Sequence, residues 1–338
     1  MIFKVGIVGY GVVGKRRHDA IKKVSDFQVI ALSDINFDKN NKLSGLNCYS
    51  DFKDLISNEN LDVLFISLPN NFAAEATLLG LKSGAHVFCE KPPAKTLNEL
   101  EPIKKFLLSS DLKLMYGFNH RFHSSVMKAY QIIRENKFGK VINLKGTYGK
   151  SKMISFNQTD WRTSRSESGG GILLDQGIHM LDLMNYFVGG FNEVFSIIQN
   201  SFWNFDVEDN AFILMKNKDG VVAQLHSSAT QWRHTFNLEI TLEKGSLILG
   251  GLLTGSKSYG EETLKLIYAD PDNDKGDPKE ETITYDEDIS WDEEIRRFTS
   301  AVRNSDKIEN GSIDQAIEIM DLIEKIYKAD PIWKEKYY

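Results

Sequence analysis

The chain has few cysteines, no basic block and no long apolar run, and each lack removes a class of protein. Cys48 and Cys89 are the only two cysteines in 338 residues. They cannot build a disulfide framework, and their separation fits no zinc pattern. No uninterrupted apolar stretch reaches the roughly 18 residues that a membrane span needs. Net charge is −6, and the densest basic run, Lys15-Arg16-Arg17, falls short of the clustered electropositive face of a nucleic-acid binder. The opening MIFKVGIVGYGVVG lacks the charged and apolar regions of a secretory signal. The Asn157-Gln158-Thr159 sequon is therefore read as without consequence, and a reducing, cytoplasmic setting is expected.

What is present reads as a globular chain long enough for about two domains, each with its own core. Up to about residue 120, short apolar runs alternate with helical stretches. Lys4–Val8, Gln28–Leu32, Val63–Leu68, Val87–Cys89 and Lys113–Phe118 have the continuous hydrophobicity of buried parallel strands. Phe72–Lys82 and Thr96–Leu108 read as helices, the second opened by a Thr96/Glu99 capping box. The alternation predicts a doubly wound α/β domain over 1–121. Over 122–338 the texture changes. Helix Ser124–Glu135 leads to strand Val141–Gly146, and a strongly apolar helix lies near 171–187. Closely spaced alternating strands come next, at Glu193–Gln199, Ala211–Met215, Val221–Ser228, Phe236–Glu243 and Ser246–Leu249. They predict an open, largely antiparallel sheet in a second α/β domain. Ala269–Lys279 reads as a solvated loop, and helices Trp291–Asn304 and Ile313–Ala329 close the chain.

Gly9-Tyr10-Gly11-Val12-Val13-Gly14 comes directly after the first strand and opens a helix. In that context the glycines permit a tight turn, backbone approach to a pyrophosphate and close helix–strand packing, with the helix N-terminus facing the phosphates. Asp34 ends the second strand, where a carboxylate accepts from ribose hydroxyls and disfavours the extra phosphate of NADP. NAD is thus the expected cofactor, in preference to NADP. Lys15, Arg16 and Arg17 either steer the pyrophosphate or are merely solvated. Leu68, Pro69 and Asn70, then Glu90 and Lys91, and finally Asn119 fall at the ends of later strands, on the edge where open α/β sheets bind ligands.

Lys91, within Glu90-Lys91-Pro92-Pro93, is placed to polarise a reacting hydroxyl; the alternative is a plain Glu90–Lys91 ion pair. The run Gly169-Gly170-Gly171 precedes Asp175, His179 and Asp182, whose spacing puts all three on one face of a helix. That helix is otherwise so apolar that it must be buried, and burying three ionisable groups is costly unless they serve or satisfy one another. Histidine beside a carboxylate suits proton exchange near neutral pH. A satisfied structural pair and a metal site are the competing readings, and the glycine triplet argues for close approach of something to the helix start. Arg121, Trp161-Arg162 and Trp232 are further candidates for a sugar ring or an anionic group; the alternative for each is packing plus a surface cation.

Taken jointly, the glycine loop, Pro69-Asn70, Glu90-Lys91-Pro92 and the glycine-led helix with Asp175 and His179 resemble the Gfo/Idh/MocA family, along essentially the whole chain. One departure is Ala73, where many relatives carry histidine. The resemblance implies a Rossmann domain followed by a domain whose open sheet often forms an oligomer interface, here of a homodimer or homotetramer. It also implies hydride transfer between nicotinamide and a hydroxyl-bearing carbon of a sugar, polyol or nucleotide sugar, as in surface-polysaccharide sugar pathways. In that scheme Lys91 contacts substrate and cofactor, His179 accepts the proton, and Asp175 orients it or holds a substrate hydroxyl. No metal is expected. An NAD-dependent glycosidase and a non-catalytic NAD-binding sensor are the rival functions on the same fold.

Overall fold

The computed structural model describes residues 2–37, 43, 45–153 and 160–338; the sequon at 157–159 lies outside them. The first part of the chain runs β1 (Phe3–Val8), α1 (Val12–Ile21), β2 (Phe27–Ser33), β3 (Asn47–Tyr49), α2 (Phe52–Asn58) and β4 (Val63–Ile66). It continues through α3 (Asn70–Lys82), β5 (His86–Glu90), α4 (Glu101–Leu107) and β6 (Leu114–Gly117). Next come α5 (Ser124–Arg134), β7 (Val141–Gly149), α6 (Arg165–Ser168), α7 (Ile178–Val188), β8 (Phe191–Gln199), β9 (Asn210–Asn217) and β10 (Val222–Ser228). After them are β11 (Thr235–Leu242), β12 (Gly245–Gly250), β13 (Glu262–Tyr268), β14 (Lys279–Tyr285), α8 (Ser290–Asn304), α9 (Ile313–Ala329) and α10 (Pro331–Tyr337).

Two compact units emerge. One comprises Met1–Asn119, Ser166–Gly169 and Trp291–Glu318; the other comprises His120–Arg165, Gly170–Ser290 and Ile319–Tyr338. The expected single cut after residue 121 is therefore replaced by a discontinuous division. The reason is packing. Phe298 of α8 is fully buried and sets its ring edge against Phe27, Phe65 and Phe88 at centroid distances of 6.4, 5.7 and 5.5 Å. A phenylalanine so buried contributes about 1.5–3 kcal/mol, enough to bind a late helix to an early core.

In the first unit the strand order is β3-β2-β1-β4-β5-β6, every neighbouring pair parallel. Val63–Ile66 is buried at every position, as a strand covered on both faces must be. The order reverses between β1 and β4, the switch point at which such sheets open for a ligand. The helix expected from Thr96 begins instead as a 3₁₀ turn (Leu97–Leu100). Thr96 makes no side-chain cap; Glu99 alone serves, its Oε2 accepting from the Lys95 N–H at 2.9 Å.

The second unit's sheet runs β14-β13-β12-β11-β7-β10-β9-β8 and is antiparallel except where β10 lies parallel to β7. That pairing brings two carboxyl ends side by side, and the Lys150 N–H just beyond β7 donates to the Ser228 carbonyl at 2.9 Å. Inward alternation buries Ala211, Ile213 and Met215 of β9. The opposite face leaves Phe195, Ile197, Phe212 and Leu214 exposed in directly paired positions. Strand β14 escaped the sequence pattern because it is an edge strand with no residue buried, and so carries no apolar alternation. Among the described residues no helix is long and apolar enough to cross a membrane.

Candidate functional site

In the first unit, Gly9 has φ +82°, and a Cβ there would strike the Ser67 carbonyl at 2.3 Å. At Gly14 it would meet the Gly9 carbonyl at 1.9 Å. These two glycines are required by the turn itself. Gly11, the N-cap of α1, differs: an added Cβ meets nothing within 4 Å. With no side chain to cap it, α1 presents its first-turn N–H groups beside open space, which is the fit a pyrophosphate requires. Asp34 lies just past β2 and is half-buried. Its Oδ2 accepts from the Tyr10 N–H at 2.9 Å, and its Oδ1 accepts from the Asn36 backbone at 3.0 Å. The carboxylate thus holds the glycine loop. Val12 is exposed and Val13 half-buried at the same helix start.

Leu68, Pro69 and Asn70 come after β4, Glu90 and Lys91 close β5, and Asn119 lies just past β6. All are on the carboxyl edge of the parallel sheet, as expected from sequence. Some have a second occupation. The Tyr10 hydroxyl is bonded to His18 Nδ1 at 2.7 Å. Asn70 is buried and donates to the Ser168 carbonyl at 2.7 Å. Glu90 of the expected Glu90–Lys91 pair meets an arginine. Glu90 binds Arg17 at 2.5 Å, and Arg17 also reaches Glu294 at 2.6 Å. Arg17 is only 1% exposed and lies over the rings of Phe88 and Trp291 at 4.4 and 4.1 Å. It is neither solvated nor a phosphate guide. Lys91 is half-buried and enters a cis bond to Pro92.

The second unit holds the ionisable helix. Residues Leu173–Gly177 form a π turn, in which the Ile178 N–H reaches back five residues to the Leu173 carbonyl, and α7 continues from it. The three ionisable residues along this stretch each have a partner of their own. Asp175 is bracketed by two cations, Lys150 Nζ at 3.0 Å and Arg162 Nε at 3.8 Å. Asp182, fully buried, takes both the Nε and the Nη2 of Arg121 at 2.8 and 2.5 Å. His179 is 5% exposed and stacks on His120, centroids 3.7 Å apart and planes 14° apart. His120 Nε2 in turn is hydrogen-bonded to the Tyr148 hydroxyl at 3.0 Å. Protonating both stacked rings would place like charges in van der Waals contact, so the pair is suited to passing a single proton.

Around them, Tyr259 donates to Gln176 at 2.9 Å, and its ring lies 5.4 Å from that of Tyr148. Burial, then the neighbouring Tyr259 and Asp175, push the Tyr148 phenol well above its ordinary value, so it stays protonated as a donor. Burial and Lys150 hold His234 below the ordinary imidazole value.

Two expectations are corrected. Arg121, a candidate for binding substrate, is 4% exposed and spent on Asp182. The glycine triplet does admit close neighbours, but they are protein: a Cβ would meet Lys95 O at Gly169, Tyr327 Oη at Gly170 and Glu208 O at Gly171. Trp161 carries the Arg162 guanidinium over its ring at 4.3 Å, keeping that pair with Asp175. Trp232 is 63% exposed and meets Phe202 edge-on at 5.1 Å, an aromatic patch of its own. Lys150, Tyr148 and Tyr259 were missed: no local motif marks them, and only the folded sheet brings together β7 and the segment between β12 and β13. Among the described residues no group of three or more His, Cys, Asp or Glu could hold a metal.

Comparison with known proteins bears on both units. Residues 3–118 match the model described as an oxidoreductase family with an NAD-binding Rossmann fold, and residues 126–248 match the GFO/IDH/MocA C-terminal domain. The chain is 30% identical over 153 residues to a levoglucosan dehydrogenase of Pseudarthrobacter phenanthrenivorans, covering 45% of this chain but only 39% of that protein. It is 26% identical over 237 residues to a myo-inositol 2-dehydrogenase of Thermotoga maritima, covering 67% and 68% respectively. In three dimensions it is similar to a levoglucosan dehydrogenase in complex with NADH, with TM-score 0.84 over 98% of both chains. At 20% identity that is a likeness of fold.

Proposed function

The chain belongs to the Gfo/Idh/MocA oxidoreductase family, and on that premise we propose that it is an NAD(H)-dependent oxidoreductase acting on a hydroxyl of a sugar or polyol. The observation that carries the reading is the stacked His120–His179 pair, one widened turn from a carboxylate bracketed by Lys150 and Arg162. His179 moves the hydroxyl proton, and Lys91 polarises the reacting oxygen. Asp175, held in place by its two cations, accepts from a neighbouring hydroxyl. Gly9–Gly14, Asp34, Leu68–Asn70 and the Glu90–Lys91 turn hold the dinucleotide. Once bound, NAD(H) supplies the two-electron acceptor or donor that no side chain here provides. Lys150 and Arg162, the two cations beside Asp175, support a finer reading, a sugar carrying a negative group, such as a nucleotide-linked or acidic amino sugar of surface-polysaccharide metabolism.

The test tracks nicotinamide absorbance while levoglucosan, myo-inositol, D-glucosides, uronates, sugar phosphates and nucleotide sugars are offered in turn. Turnover with one class supports the reading. Silence across the panel, with NADH binding confirmed, removes it. For the cofactor, Asp34→Ala is expected to weaken NAD affinity about 10-fold and to narrow the preference over NADP, read by titration of both. Equal NAD and NADP affinities in the unaltered protein would contradict the role given to Asp34.

We also propose that the exposed face of the second unit's sheet joins two or four copies of the chain. Phe195, Ile197, Phe212 and Leu214 form a contiguous apolar patch there. Sedimentation is expected to show an oligomer, and Ile197→Lys a smaller species with unchanged thermal stability of the fold. A monomeric unaltered protein would end this proposal.

A further inference from the structure

The buried carboxylate of Glu208 has no part in the scheme above, yet it grips the start of the helix that carries Asp175 and His179. Glu208 is fully buried just before β9. Its two oxygens accept from the Gly171 N–H at 2.9 and 2.8 Å, and Oε1 also accepts from the Leu173 N–H at 3.0 Å. Its backbone carbonyl takes the Ile172 N–H at 3.2 Å. Three successive donors at a helix start are thus satisfied by one residue, and an anion at that end complements the helix dipole. Tyr327 of α9 donates its hydroxyl to the same Oε1 at 2.8 Å, fixing the carboxylate from behind. Gly170 and Gly171 have no Cβ because Tyr327 and Glu208 occupy that space at 2.2 and 2.1 Å.

Immediately beyond this grip lies the π turn. Ser227 Oγ donates to the Ile172 carbonyl at the near end at 3.2 Å, and at the far end a Cβ on Gly177 would strike Leu173 and Ser227, each at 2.9 Å. A π turn is rare and takes up one more residue than the α turn it replaces, so it persists where its surroundings hold it. Reverting Leu173–Gly177 to α geometry would rotate everything beyond it by about one residue's turn, roughly 100°. His179 would then leave His120, or Asp175 would leave Lys150.

From this geometry we infer that Glu208, gripped by Tyr327, is a positioning residue that sets the register of the π turn and so the relative orientation of Asp175 and His179. The inference rests on the proposed function only for its kinetic consequence; the structural consequence stands alone. It also explains Gly170 and Gly171, which the chemistry did not use.

The test compares Tyr327→Phe and Glu208→Gln with the unaltered full-length protein. Tyr327→Phe deletes one hydrogen bond to the carboxylate. Glu208→Gln replaces an all-acceptor group by one that turns a donor toward backbone donors. The ring signals of ¹³C-labelled histidines are recorded, His179 and His120 being assigned by substitution. The expected result is a shift of the His179 and His120 signals in both variants, with those of His86 and His226 unmoved. With a turned-over sugar in hand, kcat falls about 10- to 100-fold while the KM for NAD holds, as for a misaligned reacting group. Unmoved His179 and His120 signals in Tyr327→Phe overturn the inference, even if Glu208→Gln fails to fold. Absence of turnover in the unaltered protein, with the histidine signals shifting as expected, removes the proposed function and leaves the positioning role intact.

Discussion

Alanine at position 179 is expected to lower kcat about 10²- to 10⁴-fold, the range that positioned proton transfer contributes, while NADH binding stays as in the unaltered protein. Place and chemistry together support the expectation. His179 is not among the residues proposed to hold the dinucleotide, so its removal is expected to leave that binding in place. Its ring is nearly buried and stacked on His120, so its orientation is set by packing rather than by solvent. Lys91→Ala is expected to give a loss of similar size, with NADH still bound through Gly9–Gly14 and Asp34 though less tightly. The measurement is kcat and KM across pH, beside a fluorescence titration with NADH. In His179→Ala the residual rate should climb with pH, because hydroxide supplies part of the missing base. A rate near that of the unaltered enzyme would move the proton transfer to another group, with His120 and Tyr148 first in line.

Arg121→Ala is expected to be the most destabilising single change, costing about 3–5 kcal/mol. Removing the guanidinium strands the Asp182 carboxylate, fully buried with its bidentate partner gone. For a unit of this size each kcal/mol is worth about 2–4 °C, so its unfolding transition should fall by about 10 °C. Arg121→Lys should recover only part of this, since an ammonium cannot make the forked pair. The double change Arg121→Met with Asp182→Leu should recover most of it, because an apolar pair strands no charge. Thermal unfolding of the four proteins decides the matter. If Arg121→Ala melts normally but raises the KM for sugar, the arginine reads substrate after all, as its place in the sequence suggested.

The two buried arginines escape detection in the sequence for one reason. Arg17 sits in a basic triplet on a dinucleotide helix, and Arg121 lies just past the sixth strand. Local sequence offers each as a solvent-facing cation. Their partners, Glu90 and Glu294 for one and Asp182 for the other, are 61 or more residues away along the chain in three pairings. A long-range ion pair leaves no local periodicity, so nothing in the neighbourhood of either arginine announces it. The same holds for Asp175. The π turn that carries it arises from what packs around 171–177, not from the residues of the turn.

Sequence by itself determined what depends on neighbours in the chain. The parallel strands of the first unit show as continuous apolar runs because both of their faces are covered. The glycine loop shows because its turn and close packing admit no Cβ at Gly9 and Gly14. The alternating strands from β8 to β12 show because one of their faces is buried. The family resemblance sums these local signals. Tertiary structure alone decided the rest: α8 returning Phe298 to the first core, β10 lying parallel to β7, Lys150 meeting Asp175, the buried Arg121–Asp182 pair, and Glu208 gripping the π turn. Each joins groups distant in sequence. Its free energy comes from desolvated contacts that exist only once the chain has folded, so no window of residues can carry its signature.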